Sequence, residues 1–148
     1  MKIIVASDHA GLNLRAALVD RLRKQGFIVN DVGPVDASSV DYPDYAVKVG
    51  TAVAAGEATF GLLVCGTGQG MAMTANRIPG VRAAVVADTF SARATRQHND
   101  ANVLCLGERV VGAGLAGDIV DIFISTDFEG GRHAGRVAKM MAANGGAR

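Results

Sequence analysis

Short apolar runs alternate with amphipathic stretches along the whole chain. Residues 3–6 form an apolar run of strand length. Leu14, Leu18 and Leu22 then recur four apart, with Arg15, Arg23 and Lys24 elsewhere on the wheel. Gly26 follows, so the spacing predicts a helix with a glycine stop. A second strand is expected over 27–32, and a loop over 33–40. Pro43 near a first turn, with Ala46, Val49 and Val53 on one face, predicts a helix ending near Gly56. Residues 60–64 read as a third strand running into Cys65. A short helix through about Asn76 should follow, then strands over 81–86 and 102–106 and helices over 88–97 and 115–124. Thr126, Asp127, Phe128 and Glu129 fit a capping box, which predicts a last helix from about 128 to 143. Residues 144–148 are expected to fray.

Strands alternating with helices imply an α/β fold with a parallel sheet covered on both faces. Such sheets bind ligands beyond the carboxyl ends of their strands, where strand order switches. Ser7-Asp8-His9-Ala10-Gly11 after the first strand and Cys65-Gly66-Thr67-Gly68-Gln69-Gly70 after the third should therefore share one rim.

At 148 residues the chain reads as a single domain able to bury a core. Fifteen Lys and Arg against fourteen Asp and Glu leave a net charge of +1, which argues against nucleic acid or an acidic membrane as partner. No stretch approaches the ~20 apolar residues of a membrane span. Two cysteines and no signal-peptide core fit a reduced, cytoplasmic protein. Glycine is in excess, 19 residues or about 13% against a usual ~7%. With so many aliphatics present, that excess points to turns and close backbone approaches rather than disorder.

The glycine loop at 66–70 offers backbone N–H groups and a helix N-terminus to an anion. Spacing excludes three familiar uses. A dinucleotide fingerprint needs a third glycine where Met71 or Met73 stands, a P-loop needs a lysine that is missing, and a cysteine-phosphatase loop needs an arginine at Met71. Two readings of Cys65 remain. It is either a small packed residue or a thiol whose pKa the N–H ring lowers. In the second reading the same groups, with the Thr67 hydroxyl, hold an oxyanion, which is what proton abstraction beside a carbonyl requires. Cys105, inside a strand, reads as packing.

His98 reads either as an acid/base near neutrality or as a helix-end cation. Asp8 and His9 end the first strand at the predicted rim or form a plain Asx turn. His133, between two arginines, reads as a surface residue. No histidine pair has i, i+4 spacing and no cysteine pair stands nearby, so no metal is expected. Arg132 and Arg136 share a helix face that is either a phosphate clamp or a solvated basic stripe, and Arg109 is a third candidate.

Taken together and in order, five segments resemble the type B ribose-5-phosphate isomerases and the related galactose-6-phosphate isomerase subunits. They are the 7–11 and 65–71 segments, Asp41-Tyr42-Pro43-Asp44-Tyr45-Ala46, His98-Asn99-Asp100-Ala101-Asn102, and the 128–136 segment. The resemblance implies a Rossmann-like αβα sandwich with a five-stranded parallel sheet. It implies a homodimer or dimer of dimers with sites at the subunit interface, the C-terminal helix touching the partner. It implies cofactor-free interconversion of D-ribose 5-phosphate and D-ribulose 5-phosphate through a cis-enediolate. Cys65 matches the family's base, His98 the ring-opening residue and Thr67 the proton relay. Gly66, Gly68, Gln69 and Gly70 match the enediolate loop, and Asp8, His9, Tyr42 and Asn99 match sugar contacts. Arg109, Arg132 and Arg136 match the phosphate clamp. Allose, galactose or tetrose phosphate as substrate, or a place in a hetero-oligomeric galactose-6-phosphate isomerase, are the alternatives it leaves.

Overall fold

The computed structural model describes residues 1–143; the expected fraying of 144–148 lies outside them. Five strands are present: β1 (Lys2–Ser7), β2 (Ile28–Asp31), β3 (Phe60–Cys65), β4 (Ala83–Val85) and β5 (Val103–Gly107). They form one parallel sheet in the order β2-β1-β3-β5-β4. The helices are α1 (Leu12–Lys24), α2 (Tyr42–Ala54), α3 (Gln69–Ala75), α4 (Thr89–Asn99), α5 (Ala113–Ser125) and α6 (Arg132–Ala142).

Alternation along the central strands explains the layers. Ile3 and Val5 of β1, Leu62 and Val64 of β3, and Leu104 and Leu106 of β5 join Leu18 of α1 and Ile119 and Phe123 of α5 in one core. Their neighbours Ile4, Ala6, Leu63, Val103 and Cys105 face the other way, onto Ala46 and Val49 of α2 and Met71 and Ala75 of α3. Side chains of successive strand residues point to opposite faces, so continuous apolar runs demand cover on both sides. Cys105 is wholly buried, and that burial pushes its thiol pKa up.

The last helix departs from the capping-box expectation. The Thr126 hydroxyl donates back to the Ile122 carbonyl at 2.6 Å, closing α5 instead of opening the next helix. Gly130 and Gly131, with φ of +64° and +52°, turn the chain, and α6 starts only at Arg132. Both glycines hold backbone that other residues rarely adopt, so they set the boundary. α6 packs on α4, and most of its residues are exposed.

Candidate active site

Strand order reverses between β1 and β3, and their carboxyl ends do lie together. The Asp8 N–H donates to the Val64 carbonyl at 3.1 Å. A Cβ on Gly11 would sit 2.7 Å from that same oxygen, so glycine lets the two loops touch.

Cys65 closes β3, free of any disulfide and almost fully buried. The Gly68 N–H donates to its Sγ at 3.0 Å. Gly68 reaches that geometry with φ of +82°, and a Cβ there would press on the Leu106 backbone at 3.1 Å. Thr67 is exposed, and its Oγ1 accepts from the Gln69 N–H at 3.3 Å. The N–H groups in the first turn of α3 have no partners within the helix, which leaves donors beside the thiol. Gly70 admits the ring of Tyr42, which a Cβ would meet at 2.6 Å. The Arg109 N–H donates to the Gly66 carbonyl at 3.1 Å, bringing its guanidinium to the loop.

Neighbouring residues that sequence reasoning did not single out fix this rim. Arg15 is buried, donating from Nη1 to Ser7 Oγ at 3.0 Å and from Nη2 to the Pro34 carbonyl at 2.7 Å. Its Nε lies 3.4 Å from Asp31. It thus ties the 33–40 loop to the end of β1. That loop delivers the Val40 N–H to His9 Nδ1 at 3.3 Å. Asp8 Oδ1 accepts from the Ala10 N–H at 2.9 Å. Glu108 accepts from the Leu14 N–H at 3.0 Å, capping α1 from 94 residues away and seating the turn that carries Arg109. The missed signals were a lone arginine in an amphipathic helix and a lone glutamate after a strand, neither of which forms a local motif.

His98, Asn99, Arg132 and Arg136 are not on this rim. α4 runs against the strands, so its last residues stand where the chain enters β5 at Val103. Cys65 pairs with Gly107 at the far end of that strand. Four residue steps at ~3.3 Å make about 13 Å along the sheet, too far for one small ligand to span.

This second group forms a cluster of its own. His133 is not at the surface as its flanking arginines suggested. It is 6% exposed and stacks on the His98 ring with centroids 4.4 Å apart and planes 12° apart. Its helix turns it inward while Arg132 and Arg136 stay exposed. Burial lowers the His133 pKa, and His98, Arg132 and Arg136 add to that while Glu129 opposes it. Glu129 Oε2 lies 3.6 Å from His133 Nε2 and 4.0 Å from His98 Nε2. Among the described residues these three could offer ligand atoms to a metal, all within 4.8 Å of one another, a grouping the spacing test did not foresee. His98, Asn99, His133 and Arg136 line a shallow hollow between α4 and α6.

A family model described as ribose/galactose isomerase matches residues 3–140. The ribose-5-phosphate isomerase B of Escherichia coli is 45% identical over 141 residues, 95% of each chain. The solved ribose-5-phosphate isomerase B of Clostridium thermocellum superposes with a TM-score of 0.97 at 50% identity, covering 98% of both chains. That of Mycoplasma genitalium, solved with bound ribulose-5-phosphate, has a TM-score of 0.94 at 40% identity, covering 99% of this chain and 97% of its own. A parallel α/β sheet with a thiol at its switch point, matched over nearly its whole length, places the chain in the ribose/galactose isomerase family.

Proposed function

We propose that this chain is an aldose–ketose isomerase that interconverts D-ribose 5-phosphate and D-ribulose 5-phosphate. The observation that carries the reading is Cys65, a thiol at the carboxyl end of β3 with the Gly68 N–H on its Sγ at 3.0 Å. The thiolate is the form that takes a proton. The thiolate removes the C2 proton of the open aldose, and the electron pair moves toward the C1 oxygen. The donors of the 66–70 loop hold both oxygens in one plane in the resulting cis-enediolate. Thr67 relays the hydroxyl proton between O1 and O2, and the thiol returns its proton to C1. Atoms and charge balance without a cofactor.

Ribose 5-phosphate is mostly a closed ring, so a proton must reach the ring oxygen first. An imidazole can deliver that proton, and His98 is the more exposed of the two stacked rings. Asp8, His9, Tyr42 and Asn99 contact the sugar, and Arg109, Arg132 and Arg136 hold the phosphate.

The two groups of residues lie on opposite ends of the sheet, so this mechanism requires two copies of the chain. One protomer supplies the rim with Cys65 and Arg109, and a second supplies His98, Asn99, Arg132 and Arg136. Support comes from the exposed face of α6 and from apolar side chains left in solvent, Phe90 on α4 and Met73 on α3, 77% and 69% exposed. We therefore read the protein as a homodimer or a pair of dimers built from single domains. No helix among the described residues is long and apolar enough to cross a membrane.

Galactose or another aldose phosphate is the second reading, because the family description covers both sugars. The ribose-5-phosphate isomerase B relatives at 45% and 50% identity favour the pentose. A chain carrying both groups of residues does not need a different subunit to complete it. The test is a panel of pentose, hexose and tetrose phosphates on the purified protein, read as kcat/KM. Ribose 5-phosphate should lead, and a hexose phosphate turning over faster would overturn the assignment.

A further inference from the structure

Arg15 is a buried charge on a helix that does not need it for packing. Leu14, Leu18, Val19 and Leu22 already give α1 its apolar face. The guanidinium turns instead toward the carboxyl ends of β1 and β2. It donates to Ser7 Oγ, next to Asp8, and to the Pro34 carbonyl, while its Nε is buried near Asp31 without a hydrogen bond. Gly33 leaves room for it, since a Cβ there would collide with Nη1. A buried charge pair is weak evidence for stability, so what it holds in place matters more. Arg15 holds the 33–40 loop. Residues 35–39 are all exposed, so no side chain there anchors the loop in a core. Among the described residues, two hydrogen bonds tie the loop to distant parts of the chain. Arg15 holds the Pro34 carbonyl at its entry, and the Val40 N–H meets His9 Nδ1 at its exit. His9 is itself exposed, so this contact is what fixes its ring.

We propose that Arg15 is a positioning residue for substrate binding: it anchors the 33–40 loop, and the loop holds the His9 ring against the sugar. The proposal rests on the isomerase reading given above. Arg15 is buried beneath the loop and touches no reacting atom. A loop released from Pro34 would let the His9 ring take other rotamers, and each binding event would then have to restrict it. That cost falls on substrate and transition state alike, so it appears in KM and not in kcat. Arginine suits the place because its planar fork serves two elements at once, Nη1 on Ser7 at the end of β1 and Nη2 on Pro34 in the loop.

The test joins kinetics, a double-mutant cycle and NMR on the full chain. In Arg15→Met, KM for ribose 5-phosphate should rise about tenfold with kcat within about threefold of wild type. In a His9→Ala background the same change should move KM less than about twofold, because the ring it positions is gone. The chain has three histidines, so each ring can be followed separately by NMR. The His9 signal should shift in Arg15→Met, while those of His98 and His133, stacked in the α4–α6 cluster, stay in place. Gly33→Ala probes the same contact from the other side, since its Cβ displaces the guanidinium and leaves the arginine in the chain. It should reproduce the His9 shift and a smaller rise in KM, and it carries the test if Arg15→Met does not fold. An unmoved His9 signal overturns the proposal, as do KM losses that simply multiply in the double variant, or a loss of kcat at constant KM. The NMR measurement needs no turnover, so it stands even if the wild-type protein fails on ribose 5-phosphate, the separate result that would sink the isomerase reading.

Discussion

The carboxyl rim of the sheet and the α4–α6 cluster are built in contrasting ways. At the rim, backbone does the work. Gly68 lets main chain close on the Leu106 backbone and Gly70 admits the Tyr42 ring to the loop, and the thiol receives its hydrogen bond from a peptide N–H. Distant residues lock that backbone: Arg15 ties down the 33–40 loop and Glu108 caps α1. In the cluster, side chains do the work. Two imidazoles, a carboxylate and two arginines meet on the surface of two helices, with α6 held to the body chiefly through α4. The rim suits a reaction that needs fixed donors around a carbanion-like state. The cluster suits proton delivery and phosphate capture, which tolerate a looser frame.

This contrast predicts unequal losses. Cys65→Ala should show the largest effect, lowering kcat by about 10³-fold or more while thermal unfolding stays close to wild type, since no other group replaces the base. Near-normal turnover in that variant would break the comparison at its stronger end. His98→Asn should cost less, about 10²-fold, because sugar rings also open without help in water. Equal losses would mean that proton abstraction and ring opening are not divided between the two regions.

Arg136→Met should come next, raising KM by about tenfold with kcat changed less than about threefold, the mark of a lost phosphate contact. A kcat effect alone would move Arg136 from binding into chemistry. The smallest effect is on stability. The folded protein lowers the His133 pKa below its ordinary 6.5, so the unfolded chain binds more protons on acidification. Stability should therefore fall as pH drops through about 6.5 and level off below the folded pKa. Chemical denaturation at several pH values should show that slope, and His133→Phe should remove it.

The sequence made the sheet legible, and with it the rim. Residues 3–6 and 60–64 are apolar throughout, which only strands buried on both faces tolerate, and the glycine spacing after Cys65 marked the loop. The cluster was less legible, because its geometry depends on where α6 begins. Thr126 to Glu129 fit a capping box, yet the Thr126 hydroxyl found a carbonyl of the preceding helix, and two glycines with positive φ set the start at Arg132, about four residues later than expected. That shift turns His133 inward, a fact that local pattern between two arginines could not convey. The buried Arg15 and the capping Glu108 were hidden for another reason: each acts on a segment far along the chain.

The central claim is that one active site takes its thiol from one protomer and its histidine from another. Subunit mixing tests it most directly. Cys65→Ala and His98→Asn proteins, each nearly inactive, would be unfolded together, refolded, and checked by native mass spectrometry for mixed dimers. Random pairing puts half the protein in mixed dimers with one intact site of two, so about a quarter of wild-type activity should return. Mixed dimers that form in that proportion yet stay as inactive as their parents would contradict the account.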